Sequence, residues 1–232
     1  MASAFTGHFK GFVWFSLIIT VHELGHILMG ILFRWKIEKV LILPFGGITI
    51  FHEDLNRPIK EEFLIVIMGP IFQIVFTLIV YYFFRVDDFV YYSLIILGFN
   101  LLPIFPLDGS KILSLLFNKA VSFKCSHLWM ILISILSVLI LIMEANFSLI
   151  LFLICLFLIM RVIKEIKEHE SLFNRFLLER YLKRYHFKKR MKISSMDMRV
   201  MRRDYGHLFF DGKKYISEGD RLSKRFDFKG RL

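Results

Sequence analysis

His22-Glu23-Leu24-Gly25-His26 lies inside an apolar run, Phe12–Phe33, long enough to cross a membrane. On a helix, two histidines four residues apart share a face, so both imidazoles can bind one Zn²⁺. A glutamate beside the first ligand can then take a proton from water held there. Histidines and a carboxylate at bilayer depth are costly unless they face a protected interior, so an intramembrane cluster reads as a functional site. The residues predict a zinc hydrolase inside the membrane, with His22 and His26 as ligands and Glu23 as the catalytic acid/base. Such a site takes a third protein ligand and keeps one position for water. Asn100-Leu-Leu-Pro103-Ile-Phe-Pro106-Leu-Asp108-Gly109 offers Asp108. The prolines break a helix and Gly109 permits a tight turn, so Asp108 can project back toward a neighbouring span. Irregular backbone at this depth is tolerated where it lines a cavity or is buried in protein.

Positioning these residues requires membrane helices. Of 232 residues 56% are hydrophobic, against about 45–50% apolar in soluble domains. Apolar runs fall at Phe12–Phe33, Phe63–Phe84, Phe89–Leu107, Leu128–Met143 and Phe147–Met160. The first three approach the roughly 20 residues a spanning helix needs. The last two, parted by Glu144-Ala145-Asn146, read as a helical hairpin. The expected fold is an all-α polytopic membrane protein of about five transmembrane helices, with a small membrane-associated β-hairpin and a basic cytoplasmic tail. The first run is no signal peptide: its polar cluster is central and no small-residue cleavage site follows.

Charge sets orientation and divides the chain. The 34–60 connection carries Arg34, Lys36, Lys39, Arg57 and Lys60, and the 108–127 connection carries Lys111, Lys119 and Lys124. The positive-inside rule makes both cytoplasmic, and with five spans the C-terminus as well. Residues from Lys164 onward hold 20 of the 31 Lys/Arg and 10 of the 20 acidic residues, and so +10 of the net +11. The expected domains are a membrane-embedded domain over 1–163, an amphipathic basic helix over 164–190, and a small cytoplasmic tail over 191–232. In that tail Asp211-Gly212 between apolar strands marks a β-hairpin. Acids interspersed with the bases and the lack of a nucleic-acid motif favour lipid headgroups over nucleic acid as the partner. Cys125 and Cys155 read as packing residues, not a disulfide. The polar cluster 52–57 reads as a solvated rim, with His52 outside the metal site.

The H-E-L-G-H helix followed by N-x-x-P-x-x-P-x-D-G resembles the site-2 protease family of intramembrane zinc metalloproteases. Over 5–190 the chain is similar to the family's stage IV sporulation branch, which processes an inactive sigma factor. Leu43-Pro44-Phe45-Gly46-Gly47, Arg57-Pro58, Met68-Gly69-Pro70 and Arg175-Phe-Leu-Leu-Glu-Arg-Tyr181 add to the likeness. The resemblance implies zinc on His22, His26 and Asp108, Glu23 as acid/base, and Asn100 holding substrate near the metal. It also implies a membrane-associated protein substrate, inhibitory membrane partners, and the membrane around a developing forespore. That branch has a further span before its H-E-x-x-H helix, where about ten residues precede it here, and a nucleotide-binding CBS domain that 191–232 does not match. Leu43–Ile50 reads as a strand with Gly46-Gly47 as its turn, whose edge can pair with an extended substrate. The rival class is a non-proteolytic membrane metal-binding protein or transporter. A transporter predicts paired broken helices in two similar halves, and this sequence has one broken segment.

Overall fold

The apolar runs form helices of unequal length. The computed structural model describes residues 2–43, 46–52, 54–144, 149–183 and 185–227. The chain divides into two units, residues 1–53 with 60–112 and residues 54–59 with 113–232.

The first unit opens with α1 (Ala2–Leu32), which carries the H-E-x-x-H residues. It stops at Arg34, a left-handed residue (φ 57°), where the Trp35 N–H bonds back to the Gly30 carbonyl at 2.8 Å. That geometry satisfies a carbonyl the helix end would leave orphaned. An antiparallel hairpin follows, β1 (Ile37–Leu43) with β2 (Gly46–Phe51). Gly46 and Gly47 are not its turn: they lie in β2, paired with Leu43 and Ile42, and Pro44 and Phe45 fall outside the described residues. Next come α2 (Ile59–Phe84) and α3 (Asp87–Asn100), each with acidic residues in its first turn, where they complement the helix dipole. Ile18, Ile19, Phe89 and Ile96 form the packed core of α1 and α3, and Trp14 meets Phe89 edge-on at 6.0 Å.

Among the described residues, three helices are long and apolar enough to cross a membrane: Lys10–Leu32, Ile59–Phe84 and Phe123–Met143. Three of the five expected spans, the first, second and fourth, meet this measure. The Phe89–Leu107 run is broken, because α3 ends at Asn100 after 14 residues, about 21 Å of helix against a hydrocarbon core of about 30 Å. Pro103 and Pro106 forbid its continuation. The Phe147–Met160 run is the start of a much longer helix, and residues 145–148 lie outside the described set.

α4 (Asp108–Ala120) leads from the first unit into the second. There α5 (Phe123–Glu144) packs against α6 (Leu149–Lys183). A sheet follows in the order β3 (Lys189–Ile193), β4 (Tyr205–Phe210), β5 (Tyr215–Ser217), with β3 parallel and β5 antiparallel to β4. Asp211 and Gly212 (φ 77°) join β4 to β5. α7 (Glu218–Phe226) closes the described chain, its N-terminus capped by the Ser217 hydroxyl.

Described parts of the helix expected over 164–190 and of the tail expected over 191–232 share a core. Phe173, Phe176 and Leu177 of α6 share a core with Ile193, Met198, Met201, Phe209 and Leu222. Phe123 at the start of α5 stacks on Phe176 at 4.3 Å. Arg180 is buried beside them. It donates to Asn56 Oδ1 at 2.6 Å, Arg202 O at 2.7 Å, Tyr205 O at 2.9 Å and Glu218 Oε1 at 2.9 Å. Asn56 also donates to the Phe176 carbonyl at 3.0 Å and is only 4% exposed. The 52–57 cluster is thus not uniformly a solvated rim. His52 is exposed, whereas Asn56 is locked into the second unit. Both cysteines are free thiols.

Candidate metal centre

Three side chains from two parts of the first unit converge. His22 and His26 stand one turn apart on α1, about 6 Å along the axis, and both are buried. Asp108 comes from the chain beyond α3. After Asn100 the backbone turns tightly, with Leu102 N–H bonding to Phe99 O at 3.1 Å and Leu107 N–H to Ile104 O at 2.8 Å. Asp108 then opens α4, at the helix end that favours a carboxylate. Gly109 is needed there for close approach: a Cβ on it would lie 2.1 Å from the Leu101 carbonyl oxygen. Asp108 Oδ2 lies 2.9 Å from His22 Nε2 and 3.0 Å from His26 Nε2, and the two Nε2 atoms are 3.2 Å apart. This is the one His/Cys/Asp/Glu grouping with metal-ligand geometry among the described residues.

The donor set fits a cation. His26 Nδ1 lies 2.9 Å from the Ile65 carbonyl and His22 Nδ1 lies 2.8 Å from Gln73 Oε1. In the neutral ring each imidazole thus donates from Nδ1 to an oxygen and turns Nε2 inward as a candidate ligand. Two ring nitrogens and a carboxylate oxygen then meet within 3.2 Å of one another. A positive ion among them can bind all three, and two imidazoles with one carboxylate suit zinc. Asp108 Oδ1 is turned outward to Lys111 Nζ at 3.6 Å.

Glu23 does not join the ligand cluster. It is buried and accepts a short hydrogen bond from the Thr49 hydroxyl of β2. Glu23, His26, Thr49, Asn100, Asp108 and Lys111 line one cavity of about 10 Å³, room for about one water. The five residues singled out by sequence are therefore adjacent, with Asn100 in the cavity wall rather than on the ligands. α2 makes room for this: Gly69 faces the His26 ring, and a Cβ there would lie 2.3 Å from Nε2.

Sequence reading missed Thr49, Gln73 and the pairing of Lys111 with Asp108. Gln73 and Thr77, one turn apart in the apolar α2, were the available clue, since polar groups at bilayer depth carry a cost. Nothing in the spacing links Thr49 to Glu23; only the return of the hairpin does.

Residues 10–89 match the profile of peptidase family M50. Stage IV sporulation protein FB of Bacillus subtilis is 37% identical over 188 residues, covering 76% of this chain and 65% of that protein. A zinc metalloprotease of Methanocaldococcus jannaschii is 35% identical over 119 residues, 47% of this chain and 34% of the relative. Among solved structures, the site-2 protease from Methanocaldococcus jannaschii aligns with a TM-score of 0.54 and 26% identity. It covers 66% of this chain and 76% of that one. The chain is similar to a site-2 protease. It spans less than two thirds of the length of either sequence relative. The match to peptidase family M50 covers His22, Glu23 and His26, and the three apolar helices agree with an integral membrane protein.

Proposed function

We propose that this chain is a zinc metalloendopeptidase that cuts a membrane-associated precursor and releases its product into the cytoplasm. The observation that carries this reading is the pairing of a His-His-Asp cluster with a separate buried glutamate across a water-sized cavity. Bound zinc supplies a Lewis acid that makes water a nucleophile near neutral pH and polarises a carbonyl. Glu23 takes the proton of the attacking water and returns it to the leaving nitrogen. The Thr49 hydroxyl holds the Glu23 carboxylate in place. Asn100, in the same cavity, is positioned to hold the scissile carbonyl.

The cavity admits water and no peptide, so substrate entry requires the walls to part. An extended segment pairing with an edge of the β1–β2 hairpin would lie beside Thr49, and so beside Glu23. The motif resemblance to the stage IV sporulation branch supports an inactive sigma factor as substrate. It also supports restraint by inhibitory membrane partners in the membrane around the forespore. Elemental analysis of the purified chain tests the first step. About one zinc per chain is expected, lost in His22→Ala and His26→Ala. Full zinc content in either variant contradicts the assignment.

A further inference from the structure

Within α2, a helix of apolar residues, Gln73 is fully buried, and a buried amide is tolerated only when its donors and acceptor find partners. The hydrogens of its neighbours leave it one orientation. The Thr77 hydroxyl donates to the Gln73 backbone carbonyl at 2.8 Å. With its proton spent, Thr77 accepts from the Ser93 hydroxyl at 2.6 Å. The Ser93 oxygen lies 3.2 Å from Gln73 Nε2, and the Ser93 backbone carbonyl, which only accepts, lies 2.8 Å from the same atom. The amide NH₂ must therefore face α3 and Oε1 must face α1.

From this geometry, and resting on the zinc reading above, we propose that Gln73 is a positioning residue that fixes the tautomer of His22. Oε1 can only accept, so His22 carries its proton on Nδ1 and presents a bare Nε2 beside Asp108 and His26. The reversed amide would donate to Nδ1 and drive the proton onto Nε2, aimed at the ion. His26 reaches the same state through a backbone carbonyl, which no side-chain replacement removes. Of the two imidazoles, His22 is thus the one whose readiness for metal is written in a side chain. The Ser93 and Thr77 hydroxyls act one step further out, by fixing the amide.

The test is zinc affinity of the full-length purified chain, measured by competition with a chromophoric chelator. Gln73→Leu should weaken zinc by about 10–100-fold, the usual cost of losing such an outer partner, without lowering the melting temperature of the zinc-free protein. Gln73→Glu, whose protonated carboxyl donates to Ser93 and accepts from His22, should restore affinity to near that of the intact chain. Intact affinity in Gln73→Leu, while His22→Ala abolishes binding, overturns the role of Gln73 and leaves the metal reading standing. An intact chain that binds no zinc overturns both. A second measurement does not depend on the variants folding. Nitrogen-15 shifts of the His22 ring in the zinc-free chain, assigned by difference from His22→Ala, should show Nδ1 protonated. A proton on Nε2 with Nδ1 bare contradicts the proposal.

Discussion

Glu23 and His22 are neighbours in sequence with separate tasks, and single substitutions should separate them. In Glu23→Gln the amide keeps the size of the side chain and can still accept from Thr49, but it cannot take a proton. Zinc content should be unchanged while cleavage falls by at least about 100-fold, the lower range of a general acid–base contribution. Substantial turnover in that variant refutes the role. Gly69→Ala should act from the other side: its methyl falls on the His26 ring, so zinc is lost while the helices persist. Gly98→Ala is the control, because nothing lies within 4 Å of a Cβ there. It should be neutral or stabilising by up to about 1 kcal/mol in a helix. Zinc content and thermal melting of the two variants decide the matter. His22, Glu23 and His26 were legible in the sequence because helix periodicity fixes their relation. Asp108 was legible because proline and glycine flag its turn. Gln73 and Thr49 were not, because their partners are 51 and 26 residues away.

At the scale of elements, apolar runs mark helices well and their ends poorly. Hydropathy alone extends α3 to Leu107, whereas the prolines stop it at Asn100. That early stop is what lets Asp108 return to α1. The hairpin of β1 and β2 was read only in part, since its glycines belong to the strand. The C-terminal region was read as helix plus tail because its core residues are spread thinly among charges. Leu177, expected on an amphipathic surface, is fully buried. Removing 191–232 would strip the partners of Phe173 and Phe176, so that deletion should destabilise α6 as well. Phe176→Ala should cost about 3–5 kcal/mol of local stability, visible as lost hydrogen-exchange protection in β4. Glu218 adds a pH signature. Burial pushes its carboxyl up, but the hydrogen bond from His207 and the charge of Arg180 outweigh this and hold it below its usual 4.5. A depressed acid stabilises the fold above its unfolded value and loses that contribution as pH falls through the folded one. Protection of β4 and β5 should therefore persist at neutral pH and decline on acidification below about 4.5, and Glu218→Gln should flatten the response.

For the whole molecule, the membrane organises both charge and chemistry. The basic residues of 34–60 and 108–127 predict that both connections face the cytoplasm. A single cysteine placed near Lys119 should then resist an impermeant thiol reagent applied from outside, and ready labelling reverses the orientation. Composition disclosed the membrane class, and the paired motifs disclosed the family likeness. Length and apolarity marked the helices but not where prolines end one. The central claim is that Glu23 performs peptide hydrolysis beside a zinc ion held by His22, His26 and Asp108. The most direct measurement is cleavage of a membrane-tethered sigma-factor precursor co-expressed with the intact chain or with Glu23→Gln. The account predicts a shortened, soluble product with the intact chain and none with the variant, both proteins holding about one zinc. Equal cleavage by the two, or none by a zinc-loaded intact chain given the precursor, would contradict it.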